Sequence, residues 1–438
     1  MTNAVMADDS ATNQKIYNAK SITLPNAMQV VVVENPRTPA VTHMVWYKIG
    51  GADEVMGESG LAHYLEHLMF KGSELVDSGE FSKKVKSWGG NDNAFTSWDF
   101  TAYFQTVPKD RLEAVMIMES DRMRNLNFDD ANALTERDVV IQERKQRTDS
   151  NPSAQLGEAM RAALFINHPY ARPIIGWDAE LQKLTPQLAR AFYKQYYAPK
   201  NAILVVSGDV KAEDVFALAA QTYAKQENTD SLSRPLWPQT AEVYGKTLID
   251  LKHSSIKQPV WRKLYRVQGL GQSYDDYLAF MLLDNIIGGN TGRLYQSLVV
   301  DNKLASAASF YYSGVGIADG TVSIGVTPLE GVALSDIEIA VDNMLRDIAE
   351  NGVTDLEIKQ SISKIQDESI YEMDSLTGPA MMLGYQLVNG LSLDKAETWI
   401  YDLDNITADH AQKLVADYLS PDGANTHAVT GHLLPTEK

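Results

Sequence analysis

The stretch "GESGLAHYLEHLMFKGS" (57–73) sets two of the chain's eight histidines, His63 and His67, four residues apart, with Glu66 between them. On a helix, positions i and i+4 share a face with Cβ atoms about 6 Å apart, so both imidazoles can reach one ion. Glu66 stands beside His67 and one turn after His63, where its carboxylate can reach a water on that ion. Leu61, Leu65, Leu68 and Met69 recur at helical spacing and can face a core. The pattern predicts a buried helix offering two nitrogen ligands and one carboxylate base.

The order H-x-x-E-H inverts the H-E-x-x-H zinc motif and is itself a zinc peptidase signature. Catalytic zinc takes three protein ligands and keeps one position open, so a third ligand is needed. "NALTERDVVIQERKQR" (132–147) offers Glu136 and Glu143 on one helical segment, seven residues apart. Seven residues is close to two turns, so the two carboxylates share a face. One can bind the ion while the other accepts a hydrogen bond from a ligand histidine.

The elements that must position these groups form two halves. "LTPQLARAFYKQYYAPKNAILVVSGDV" (184–210) resembles "ITADHAQKLVADYLSPDGANTHAVTGH" (406–432), with Thr185 and Thr407 each fourteen residues before a proline. Each copy reads as a capped amphipathic helix, a proline-marked turn and a strand ending in glycine. "VTHMVWYKIGG" (41–51) and "VWRKLYRVQGL" (260–270) echo each other at nearly the same offset. Together they predict an internal duplication of a unit of about 200 residues. Strands grouped with helices favour an α+β fold, with two homologous α/β-sandwich domains of antiparallel-rich sheet covered by helices. The expected boundaries are a flexible tail at 1–18, a metal-bearing domain at 19–225, a linker at 226–242 and a second domain without metal at 243–438. "NDNAFTSWDFTAYF" alternates well enough to be an exposed strand. "LAFMLLDNIIGG" (278–289) falls opposite the metal helix and holds no histidine.

Composition narrows the classes. There are no cysteines, which excludes disulfides, thiolate metal sites and cysteine nucleophiles. A net charge of −18 argues against nucleic acid, whose phosphates need a basic surface. No apolar run approaches the ~18 residues of a membrane span. The first fourteen residues lack the basic start and apolar block of a secretory signal. The expected protein is soluble, and cytoplasmic, or periplasmic if a leader has been removed. "GGNTGR" lacks the G-K-[ST] ending of a phosphate loop and reads as a glycine-rich turn.

These motifs together resemble the inverted-zincin peptidases of the pitrilysin/insulinase type, and among them the short-chain, mitochondrial-processing-peptidase-like group. His63, Glu66, His67, Glu136 and Glu143 carry the likeness. "GGNDNAFTSWDFTAYFQTVP" (89–108), "HPYARPIIG" (168–176) and "GGNTGRLYQSL" (288–298) extend it over nearly the whole chain. The resemblance implies one zinc ion per chain ligated by His63, His67 and Glu143, with Glu66 as general base and Glu136 as a supporting carboxylate. It also implies an edge strand that receives an extended peptide substrate by strand addition, with Asn93, Ala94 and Phe95 nearest the scissile bond.

One departure stands out. Active members of the family carry an arginine and a tyrosine seven residues apart in the second half, and the matching positions here are Val299 and Ser306. Members of this length hold two of the four domains that enclose a substrate chamber, so they pair with a second chain. The expectation is a zinc endopeptidase subunit whose paralogous partner supplies that pair. The alternatives are a non-catalytic structural subunit of the same fold and a stand-alone homodimeric peptidase.

Overall fold

Strand β3 (Ala40–Tyr47) points Val41, Val45 and Tyr47 into one core and Met44 and Trp46 into another. That period-two split is the mark of a strand with layers on both faces. The computed structural model describes residues 15–229, 234–242 and 245–436. It builds two sheets from β1 (Lys20–Thr23), β2 (Gln29–Glu34), β3, β4 (Asn91–Thr96), β5 (Thr101–Pro108) and β6 (Ala202–Gly208), then β7 (Thr247–His253), β8 (Val260–Val267), β9 (Ala305–Ser313), β10 (Gly320–Pro328) and β11 (His427–Pro435). Their orders are β1-β2-β6-β3-β5-β4 and β7-β11-β8-β10-β9.

The second sheet repeats the first without β1. β2 pairs β6 in parallel, as β7 pairs β11, and the remaining pairs of both sheets are antiparallel. The helix leading to each final strand is capped as the sequence predicts. The Thr185 hydroxyl accepts the Leu188 N–H at 3.2 Å before Pro186–Tyr196, and the Thr407 hydroxyl accepts the His410 N–H at 3.1 Å before Ala408–Leu414. The expected glycine end holds for β6 at Gly208 but not for β11. That strand runs through Gly431 to Pro435, because its register with β7 continues to the end.

Two further readings are corrected. The 91–104 segment is a hairpin and not one exposed strand. Ser97 N–H bonds the Phe100 carbonyl at 2.8 Å, β5 is enclosed between β3 and β4, and β4 alone forms the edge. Residues 15–17 of the expected tail are held by the second half. Ile16 N–H bonds the Glu397 carbonyl at 3.0 Å, and Tyr17 N–H reaches a Glu397 carboxylate oxygen at 2.6 Å. Residues 1–14 of that expected tail lie outside the described residues. Within the 226–242 stretch, Arg234 is pinned by two bonds to the buried Asp53 carboxylate, at 2.7 and 2.8 Å.

The halves also exchange cover. Helix Gly378–Val388, from the second half, packs Ala380, Leu383, Leu387 and Val388 against Val31, Met44, Trp46 and Ile203 of the first sheet. Helix Pro152–Leu164, from the first half, packs Leu156, Met160 and Leu164 against Val429 and Leu433 of the second. Each large apolar side chain buried this way contributes about 1.5–3 kcal/mol. Glycines permit both approaches. A Cβ at Gly384 would lie 2.1 Å from the Trp46 ring, and one at Gly431 would lie 2.4 Å from Met160 Sδ.

Candidate metal centre

The metal motif forms helix α1 (Leu61–Leu68), which buries Leu61, Leu65 and Leu68 in the first core. Its start is set by Gly60, whose φ of +88° suits glycine, and by Glu54. The Glu54 carboxylate accepts the N–H groups of Gly60 at 3.0 Å and Ala62 at 2.8 Å, taking up donors that a helix start leaves unpaired. The two glutamates stand on α2 (Asp130–Arg144), where the Asp129 carboxylate caps the N-terminus through Asn132 N–H.

The two helices bring the residues of the motif together. His63 Nε2 lies 3.7 Å and His67 Nε2 3.4 Å from Glu143 Oε2. A tetrahedral ion with bonds of about 2.1 Å separates its ligand atoms by roughly 3.4 Å. The three donor atoms all lie within 4.8 Å of one another. Two nitrogens and one carboxylate oxygen are also the donor chemistry of a catalytic zinc site, so residues and geometry fit that ion. His67 Nδ1 is 3.0 Å from Glu136 Oε1, which fixes the ring and leaves Nε2 for the ion. Of the two carboxylates the sequence offered, Glu143 faces both imidazoles and Glu136 backs one.

Three supporting residues went unread in the sequence. Lys71 pairs with the other Glu136 oxygen, Arg147 holds Glu143 Oε1 at 2.7 Å, and the Thr96 hydroxyl donates to Glu66 Oε2 at 2.6 Å. Lys71 follows His67 by four residues and Arg147 follows Glu143 by four, so helical spacing was the available signal for both. Thr96 had none, since a cross-element bond leaves no local pattern.

Charge follows from this packing. Burial, aided by the neighbouring His67, pulls the His63 pKa down to about 4. Burial also opposes charge on His67, but hydrogen bonds to Glu136 and Glu143 outweigh it and raise that imidazole to about 9. Glu143 is held below the usual carboxylate range, mainly by His67. Burial lifts Glu66 above it, against the Thr96 hydroxyl.

Strand β4 runs past this centre at the edge of its sheet. Ala94 packs on the core beneath α1, while the Phe95 ring lies on the opposite face, stacked 5.9 Å from Tyr385 and edge-on to Trp46. Asn93 turns its side-chain oxygen to the Ala94 N–H at 2.9 Å. The three residues expected nearest a substrate are therefore contiguous on the edge, but their side chains divide between its faces. Beyond Thr96, Ser97 opens onto a cavity of about 670 Å³ between the halves, lined by Phe100, Met281, Tyr311, Met381 and Tyr385 among others.

In the second half, Val299 packs against the core and the Ser306 hydroxyl bonds the Thr327 carbonyl at 3.2 Å. Arg293 is committed to Glu357 by two bonds of 2.7 Å. Tyr311 is exposed on β9, and the Tyr312 hydroxyl bonds the Gln268 carbonyl at 2.7 Å. Helix Tyr274–Ile287, opposite α1, presents Leu278, Phe280, Leu282 and Leu283 to the core. Among the described residues, His63, His67 and Glu143 form the one cluster able to hold a metal ion, and no helix is long and apolar enough to cross a membrane.

Comparison with known proteins agrees with this anatomy. Residues 29–178 match the family model described as insulinase (peptidase family M16), and residues 183–365 match the one described as peptidase M16 inactive domain. The zinc protease PqqE of Helicobacter pylori is 34% identical over 299 residues, 67% of this chain and 66% of that relative. A probable mitochondrial-processing peptidase β subunit of Arabidopsis thaliana is 21% identical over 405 residues, 91% of this chain and 75% of the relative. The crystal structure of a protease from Helicobacter pylori superposes with a TM-score of 0.88 at 27% identity, covering 96% of this chain and 100% of that one. With both of its halves matched by models of one family, and its relatives carrying zinc-protease names, this chain belongs to peptidase family M16.

Proposed function

We propose that the chain is the zinc-bearing subunit of an endopeptidase that hydrolyses extended or unfolded peptides. The observation that carries this reading is the convergence of His63, His67 and Glu143 on one point, with Glu136 behind His67 and Glu66 beside it. Zinc held there supplies Lewis acidity to water and to a peptide carbonyl. Glu66 takes the proton of the attacking water and delivers it to the leaving amine nitrogen. Burial suits it to both steps, since a carboxyl with a raised pKa holds a proton in transit and then gives it up. The Thr96 hydroxyl keeps one Glu66 oxygen oriented and ties the base to β4.

The outer edge of β4 pairs with no other strand among the described residues. The N–H and C=O groups along that edge can bind a substrate backbone as an added strand, a mode that selects extended chains. Val299 and Ser306 offer neither a cation nor a phenol for the reacting carbonyl, so the proposed partner is a paralogous chain that brings both. The test assays the purified chain alone and with such a partner, alongside its zinc content. The reading expects stoichiometric zinc in the single chain and strong endopeptidase activity from the pair. Full activity from the chain alone would point to the homodimeric alternative. Absence of zinc would point to the structural subunit.

A further inference from the structure

Both ligand-bearing helices are tied to one short stretch, residues 172–177, at the end of "HPYARPIIG". On the α1 side, Trp177 N–H bonds Ser59 Oγ at 2.9 Å, and Arg172 donates to the carbonyls of Glu54 at 2.9 Å and Ala52 at 3.0 Å. The backbones meet without intervening side chains. A Cβ at Gly60 would lie 2.7 Å from the Ile175 carbonyl oxygen, and one at Gly176 would lie 2.5 Å from that of Ser59. Both glycines have φ of +88°.

On the α2 side, the tie is Arg144, the residue after Glu143. Its guanidinium is buried, donates to the Gly176 carbonyl at 2.7 Å and grips both Glu158 oxygens at 2.9 Å. The same stretch reaches the turn after β4, where Trp98 Nε1 bonds the Arg172 carbonyl at 2.9 Å. Histidine helix, glutamate helix and substrate-strand turn are thus keyed to six consecutive residues. None of these bonds involves a metal-ligand side chain.

We propose that residues 172–177 are the spacer that sets the distance between Glu143 and the histidine pair, with Arg144 as its positioning residue. This rests on the metal-centre reading above. The physical argument is one of shared reference. Glu143 and the imidazoles lie on separate helices, and a ligand displaced by 1 Å no longer fits bonds of about 2 Å. A backbone carbonyl gripped by a buried bidentate arginine is a stiffer reference than a pair of surface side chains.

The test measures zinc affinity by competition with a chromophoric chelator, and the visible spectrum of the cobalt-substituted protein, for Arg144→Met, Arg144→Lys, Gly176→Ala and Ser59→Ala. Loss of support around a metal typically weakens binding by roughly 10–100-fold. That loss, with altered cobalt bands, is expected for Arg144→Met and Gly176→Ala. Arg144→Lys is not expected to restore binding, because an ammonium cannot take both Glu158 oxygens and the Gly176 carbonyl. Ser59→Ala deletes only the Trp177 bond and is expected to weaken zinc more mildly, so it serves if the harsher variants fail to fold. Folded Gly176→Ala and Ser59→Ala proteins with wild-type zinc affinity and wild-type cobalt bands would overturn the proposal. A wild-type protein that binds neither metal would instead overturn the metal-centre reading, before any variant is compared.

Discussion

β3 and β8 occupy the same place in their sheets, yet the helices that follow them differ in kind. After β3 comes a helix of eight residues that buries three leucines and still points two imidazoles at α2 and a carboxylate at Thr96 of β4. After β8 comes one of fourteen residues that gives its corresponding surface to leucines and Phe280, with Asp284 bonded to Tyr312 N–H at 3.0 Å. The strand orders agree, so the sheet is not what separates the half with the histidine pair from the apolar one. The difference lies in a few side chains on two helices, held at a fixed separation. A duplicated scaffold supplies positions, and the site is added to one copy.

The comparison breaks most sharply at His67. His67→Ala removes one of three ligands and leaves Glu136 with Lys71 alone, so zinc should no longer be retained after dialysis. A metal titration of the variant checks it. Glu66→Gln should separate chemistry from binding: zinc stays stoichiometric while peptide hydrolysis falls by roughly 10²–10⁴-fold, the usual worth of a positioned base. Loss of zinc together with activity would mean that Glu66 supports the ion and not the proton transfer.

The charge states sharpen the comparison further. His67 is raised to about 9 and His63 lowered to about 4, so at pH 6 the imidazole pair of the metal-free site carries its proton on His67. Zinc uptake at that pH should expel that proton and none from His63, which calorimetry in buffers of different ionisation heat can count. The sign for stability follows the same shift. Protonated His67 stabilises the metal-free fold fully below its ordinary pKa of about 6.5, and this contribution is lost as pH rises through about 9. Thermal melts of the chelated protein between pH 6 and 10 should fall accordingly, and a His67→Gln variant should flatten that part of the curve.

The smallest effect tests the exchanged cover. Gly384→Ala drives a methyl into the Trp46 ring and should cost about 1–3 kcal/mol, read by denaturant unfolding. Zinc content should remain unchanged, because Trp46 faces away from the core that carries α1. A matching loss of zinc would show that the two faces of the first sheet are coupled.

The legible part of the molecule was the part written in local periods. His63, Glu66 and His67 share a face because four residues make about one helical turn, and Glu136 and Glu143 because seven make about two. Those spacings survive in any environment, and so did the threonine caps that exposed the duplication. What stayed hidden depends on contacts across the chain. Alternation carried the 91–104 segment as one strand because Ser97–Phe100 closes a tight turn within an otherwise unbroken pattern. The seating of Gly378–Val388 on the first sheet rests on contacts with residues more than 170 positions away in the chain, such as Ile203 and Trp46. Phe95 matched a strand position, while the face its ring takes depends on Trp46 and Tyr385, one of them 290 residues downstream. Arg144 leaves no trace, since its partners are the backbone carbonyl of Gly176 and the Glu158 carboxylate, 32 and 14 residues away.

Anomalous diffraction at the zinc edge from crystals of the metal-loaded protein tests the central claim most directly. The account predicts one peak per chain, within bonding distance of His63 Nε2, His67 Nε2 and a Glu143 carboxylate oxygen, and none beside helix Tyr274–Ile287. A peak bound elsewhere, or Glu143 turned away from an ion held by the histidines alone, would contradict it.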